Sequence, residues 1–356
     1  MRLFSCPSCR LVVFFENVAC ERCASALGYE PALNTMIALS APDADGTHTA
    51  TAGRCKGERY RYCANAAHGV CNWLVRANDG PEARCRACRH NVIIPDLSAP
   101  QNHAAWQRIE LAKHRLVYTA LRLELPLVDR TERPEDGLGF QFLADDAQAT
   151  RVMSGHAHGL ITIALAEADD AEREKRRTEL REPYRTLVGH FRHEIGHWYW
   201  DRLVRDTPAR PRFTELFGDA DQDYAAALER HYESGPPADW QGGFVSAYAA
   251  AHPWEDFAET WAHYLHIVDT LETGGSYRIS LTPQLDHDQL LTTSLDFDVH
   301  AADLPLTTLI DAWVALSTAL NSFNRSMGLA DAYPFVLAPR VIEKLGFVHD
   351  LVKARK

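Results

Sequence analysis

The segment His193-Glu194-Ile195-Gly196-His197 sets two imidazoles four residues apart, with a carboxylate beside the first. On an α-helix, positions four apart stand one above the other on the same face, so both rings can reach a single ion. Zinc suits two neutral imidazoles, and Glu194 is then placed to take a proton from a water that the metal activates. Two histidines merely buried in a helix would give the same five letters, so the third ligand decides the matter. One solution needs a glycine and a histidine three and six places beyond His197, where Trp200 and Leu203 stand. The other is a glutamate on a downstream helix, and residues 246–259 supply one. Pro253 suits a first helical turn, Glu255 and Asp256 sit near its positive end, and Glu255 and Glu259 share a face. His252, His263 and His266 surround that helix and are the alternatives to Glu255.

Thiols form the second group of candidate ligands. Cys6-x2-Cys9 and Cys20-x2-Cys23 flank the β-prone run Leu11–Asn17. Two such knuckles joined by a hairpin present four sulfurs to one tetrahedral zinc, which is a zinc ribbon. Further on, Cys85-x2-Cys88 makes one knuckle, and Cys63 with Cys71 makes a wider one around residues 64–70; Cys55 is the spare, or the alternative to Cys63. The expectation is one catalytic zinc and two structural ones. All nine cysteines lie within the first 88 residues. Paired cysteines of this kind read as metal ligands in a reducing compartment rather than as disulfides, so a cytoplasmic location is expected. The opening residues also lack the apolar stretch of a secretory signal.

The elements that must hold these residues follow from the patterns between them. A ribbon is expected over residues 1–32, a linker over 33–53, a second zinc module over 54–98 and the catalytic domain over 99–356. Helical periodicity marks Trp106–Glu124, Leu304–Met327 and Pro339–Val352, and Leu160–Leu165 reads as a strand. The histidine pair belongs to a proline-free stretch from Tyr184 to Val204, opened by Pro183. Residues 169–185 are highly charged and read as a solvated segment. His156 and His158 alternate as on a strand surface, along which an extended peptide could pair. Asp201 reads as a helix-surface acid.

Composition bounds the function. The chain is 46% hydrophobic and 24% charged over 356 residues, with no apolar run near the ~20 residues a membrane helix needs. Residues 1–98 carry eleven Lys/Arg against nine Asp/Glu, about +2, so of the net −11 the remainder carries −13. An acidic body argues against wholesale nucleic-acid binding.

The motifs together resemble a known family. HEIGH followed by Tyr248-x6-Glu255-Asp256-Phe257-Ala258-Glu259 looks like the gluzincin pattern in its lethal-factor-like arrangement. The two CxxC pairs, Cys71–Val75, Gly189–Arg192 and Tyr333-Pro334-Phe335 extend the likeness to bacterial zinc-binding metallopeptidases with an N-terminal zinc-ribbon domain. That resemblance implies an α+β, zincin-like domain preceded by two small zinc ribbons. It implies Glu255 as third zinc ligand, Glu259 as the carboxylate orienting His193, and Tyr248 as the hydroxyl that stabilises an oxyanion. The implied reaction is hydrolysis of a peptide or protein, with a protein partner for the ribbons. Two other readings stay open. A non-catalytic binding protein could use Arg54, Lys56, Arg59, Arg61, Arg84, Arg86 and Arg89 near the second ribbon, and a zinc hydrolase could act on a non-peptide amide.

Overall fold

The computed structural model describes residues 1–145, 152–179, 186–285 and 287–354. Strands β1 (Phe4–Ser5) and β2 (Val12–Val13) pair antiparallel around the first knuckle. β3 (Ala26–Glu30) and β4 (Thr35–Leu39) form a hairpin, and β5 (His48–Thr49), β6 (Arg59–Tyr62) and β7 (Leu74–Arg76) form a three-stranded sheet. The stretch 33–53, expected as a linker, thus carries β4 and β5. Four of the five residues of β4 are buried, and a bridge from Leu39 to Ala50, just past β5, joins the hairpin to the three-stranded sheet. The Gly- and Asp-rich turn beyond β4 drew the linker reading; the apolar strand before it had more weight.

The ribbons are not loose appendages. Tyr29 packs edge-on against Trp73 with ring centroids 4.9 Å apart, Phe15 stacks on Tyr118 at 5.3 Å, and Trp73 meets His114 at 5.1 Å. Tyr118 and His114 belong to α1 (Pro100–Arg122), so one aromatic seam joins both cysteine modules to the first long helix.

The following sheet contains β8 (Asn91–Ile93), β9 (Gly139–Leu143), β10 (Gly155–Ala157) and β11 (Leu160–Ala164) in the order β10-β11-β9-β8. Only β10 runs antiparallel to its neighbour, and it lies at one edge. The charged segment contributes α2 (Asp170–Glu179), while Pro183 and Tyr184 lie outside the described residues. Helix α3 (Leu187–Trp200) is capped by Thr186, whose hydroxyl accepts from the Gly189 amide at 3.0 Å. It continues into a π-turn over Asp201–Arg205, where Asp201 pairs with Arg205 at 2.6 Å. Helices α4 (Arg210–Phe217), α5 (Tyr224–Ser234), α6 (Pro253–Ser276), α7 (Leu306–Ser326) and α8 (Pro339–Lys353) complete the domain. Among the described residues, no helix is long and apolar enough to cross a membrane.

The packing that matters most is α3 on α6. Gly196 sits where a Cβ would lie 2.9 Å from the Ala258 Cα, so the bare backbone lets the helices touch. Tyr199 stacks on Trp261 at 4.7 Å, and a buried ion pair joins Arg192 to Asp269 further along. On the far side, Lys344 of α8 meets the buried Asp256 at 2.6 Å. These contacts fix the register in which α6 presents Glu255 and Glu259 to α3.

Candidate active site

The helical spacing does what geometry requires of it. His193 and His197 aim their Nε2 atoms at one point, 3.2 Å apart. Glu255, from the first turn of α6, places Oε2 at 3.0 Å from His193 Nε2 and 3.5 Å from His197 Nε2. All three residues are buried. Behind them, His193 Nδ1 donates to Glu259 Oε1 at 2.7 Å, and Ser246 Oγ donates to Glu259 Oε2 at 2.6 Å. With its Nδ1 proton so engaged, His193 has Nε2 free as a ligand atom.

Whether a zinc ion fits can be tested on these atoms. Bonds of about 2.0–2.1 Å at tetrahedral angles put ligand atoms roughly 3.3 Å apart, and the three edges here are 3.2, 3.0 and 3.5 Å. Glu255 Oε2 is buried with no hydrogen-bond donor aimed at it. A buried carboxylate oxygen facing two imidazole nitrogens is an atom waiting for a cation. Burial raises the Glu255 pKa, but the imidazoles of His197 and His193 outweigh it and hold the carboxyl well below its usual range. The donor set fits zinc.

Around this centre stand groups that the spacing of the motif had not indicated. Tyr224, at the start of α5, donates its hydroxyl to Glu255 Oε1 at 2.6 Å. Trp254 lies against the His197 ring with centroids 3.8 Å apart, and His156 of β10 stacks at 6.2 Å from the same ring. No short motif marks Tyr224 or Trp254, because each reaches the centre only through the turn that places its helix. Tyr248, from the turn Tyr248–Ala251, brings its ring to 5.9 Å from that of His193. Burial, with Glu255 nearby, pushes its phenol well above the ordinary range, so its hydroxyl remains a donor. Beyond Tyr224, α5 also walls an open cleft of about 670 Å³ with Arg230 and His231, lined on its other side by Phe244, His252 and Pro253.

Comparison with known proteins decides what kind of chain carries this centre. Residues 102–351 match a family described as "Putative zinc-binding metallo-peptidase", and residues 3–99 match a zinc-ribbon domain. The chain belongs to this metallo-peptidase family. Uncharacterized proteins of Mycobacterium bovis and Mycobacterium tuberculosis are 43% identical over 354 residues, covering 99% of this chain and 95% of theirs. No solved structure matches it. The zinc-ribbon match runs across both cysteine modules, in accord with the aromatic seam that unites them.

In this member of the family the thiols gather as two sets of four. Cys6, Cys9, Cys20 and Cys23 hold their sulfurs within 4.8 Å of one another, and so do Cys63, Cys71, Cys85 and Cys88. Sulfur pairs at 3.7 Å (Cys6–Cys23) and 3.8 Å (Cys71–Cys85) match the edge of about 3.8 Å expected for four thiolates on zinc. Cys55 is buried in a separate small core and belongs to neither set. The second set has a neighbour from α1: His114 Nε2 lies 3.3 Å from Cys71 Sγ and 3.7 Å from Cys88 Sγ. His263, one of the alternatives to Glu255, instead hydrogen-bonds the Tyr333 hydroxyl at 2.6 Å.

Proposed function

We propose that this chain is a zinc-dependent peptidase of gluzincin type, with His193, His197 and Glu255 holding the catalytic metal. The convergence of two Nε2 atoms and one orphaned carboxylate oxygen, with Glu194 alongside, carries the reading. When bound there, zinc lowers the pKa of water and polarises a carbonyl. The residues of the chain supply the rest. Glu194 takes the proton from the attacking water as its oxygen bonds to the scissile carbon. Burial raises the Glu194 pKa, but His190 outweighs it and the carboxyl lies below its ordinary value, ready to accept. The Tyr248 hydroxyl donates to the oxygen on which negative charge develops. Glu194 then delivers its proton to the amide nitrogen as the C–N bond breaks, leaving a carboxylic acid and an amine. Glu259 keeps His193 in the tautomer that binds metal.

We further read residues 1–32 and 54–98 as structural zinc modules bound through their two sets of four cysteines, in a cytoplasmic protein whose ribbons take a protein partner. Nucleic-acid binding has less support, because several of the basic residues near the second ribbon are engaged by acids. Arg59 pairs with Asp43 and Asp45, and Arg89 with Asp129 and Glu132.

The test joins metal content to hydrolysis. Glu194→Gln is expected to keep its catalytic zinc by elemental analysis while cutting labelled casein roughly 10²–10⁴-fold more slowly. His193→Ala and Glu255→Ala are expected to lose one zinc relative to wild type. Zinc content unchanged in both ligand variants would sink the reading.

A further inference from the structure

His190 stands one turn ahead of Glu194 on α3, and its two ring nitrogens face two different carboxylates. Nε2 lies 3.1 Å from Glu194 Oε1, and Nδ1 lies 3.8 Å from Glu167 Oε2. Glu167 comes from the turn Leu165–Ala168 that ends β11, so sheet and helix meet at this imidazole. The side chains are 1% exposed for Glu167, 7% for Glu194 and 14% for His190. Two carboxylates buried so deeply on either side of one ring call for a cation between them. Only an imidazole protonated on both nitrogens donates to Glu194 and at the same time turns an N–H and a positive charge toward Glu167. Burial by itself would lower its pKa, yet Glu167 and Glu194 push it up to about 9.

We propose that Glu167 and His190 are positioning residues for Glu194. His190 fixes the plane of the Glu194 carboxylate by donating from Nε2 to Oε1, and Glu167 holds the ring by charge attraction across the 3.8 Å to Nδ1. A glutamate carboxylate otherwise turns about its last bond, and a general base must sit within hydrogen-bond reach of the proton it abstracts. Held by Oε1, Glu194 turns its other oxygen to the water. The chain of contacts runs from the end of β11 to the base, so the strand that borders the site also sets the base's orientation. This inference rests on Glu194 being the base.

The experiment has two arms on the zinc-loaded full chain. In nitrogen-15 NMR of the imidazoles at neutral pH, His190, assigned by its loss in His190→Gln, is expected to show two protonated nitrogens. Glu167→Gln is expected to move the Nδ1 signal. In the second arm, Glu167→Gln and His190→Gln are each expected to lower kcat on labelled casein by roughly 10- to 100-fold. KM and zinc content should stay unchanged, and the double variant should be little worse than either single one. Glu167→Asp, which keeps the charge, should recover part of the loss. A neutral His190 with one bare nitrogen, or variants with wild-type kcat, would overturn the proposal. If Glu194→Gln cleaves like wild type, the peptidase reading fails, while the NMR arm still decides whether the carboxylates hold the ring.

Discussion

At the scale of single residues, Glu255 divides its work between two oxygens. Oε1 accepts from Tyr224, which leaves Oε2 turned to the imidazoles. Partners of this kind set a ligand's orientation, and their loss commonly weakens metal binding about 10- to 100-fold. Tyr224→Phe is therefore expected to lower zinc affinity by that factor in competition with a chromophoric chelator; an unchanged affinity would show that the hydroxyl orients nothing. His263 offers a second test. Burial holds its pKa down to about 4, against roughly 6.5 for a free imidazole. The folded state therefore binds fewer protons than the unfolded one between those values. The contribution is complete above about pH 6.5 and is lost as pH falls towards 4. His263→Gln should flatten the fall in urea midpoint across that window, and an identical slope would refute it. The His193 and His197 pair was legible because i and i+4 on a helix are neighbours whatever the fold. Tyr224 was not, because it meets Glu255 across 31 residues of chain.

At the scale of elements, the decisive object is the contact between α3 and α6. Gly196 lies inside the motif itself, and a methyl there meets the Ala258 backbone rather than a side chain that could turn aside. Gly196→Ala improves helix propensity yet forces the helices apart, and overpacking of this sort typically costs about 1–3 kcal/mol. The variant is expected to unfold at lower urea and to retain less catalytic zinc; wild-type values for both would mean that α6 tolerates the shift. Helix positions followed from periodicity and capping residues. Pro253 does open α6, as its fixed φ favours, and the α3 start moves to Leu187 because Thr186 caps it. The strand β4 was hidden beside a turn-rich stretch, since five apolar-leaning residues carry little periodic signal by themselves.

At the scale of the whole molecule, the cysteine modules and the metallo-peptidase domain share a core. Tyr118 of α1 is fully buried, stacks on Phe15 and donates its hydroxyl to Glu272 of α6 at 3.0 Å. Removing a buried aromatic ring of this size costs roughly 3–5 kcal/mol. Tyr118→Ala should lower a single melting transition for ribbons and peptidase domain together, and two separated transitions would show them to be independent. What the sequence alone determined about this protein is local chemistry: which residues can ligate a metal, and which lie one helical turn or one knuckle apart. Those relations depend only on backbone geometry, so spacing is enough to read them. The tertiary structure decided which distant residues meet the candidate ligands. Tyr224 on Glu255, Glu167 on His190 and His114 beside Cys71 join segments 31, 23 and 43 residues apart. No spacing rule spans such gaps, because packing of whole elements, not the intervening chain, brings their side chains together.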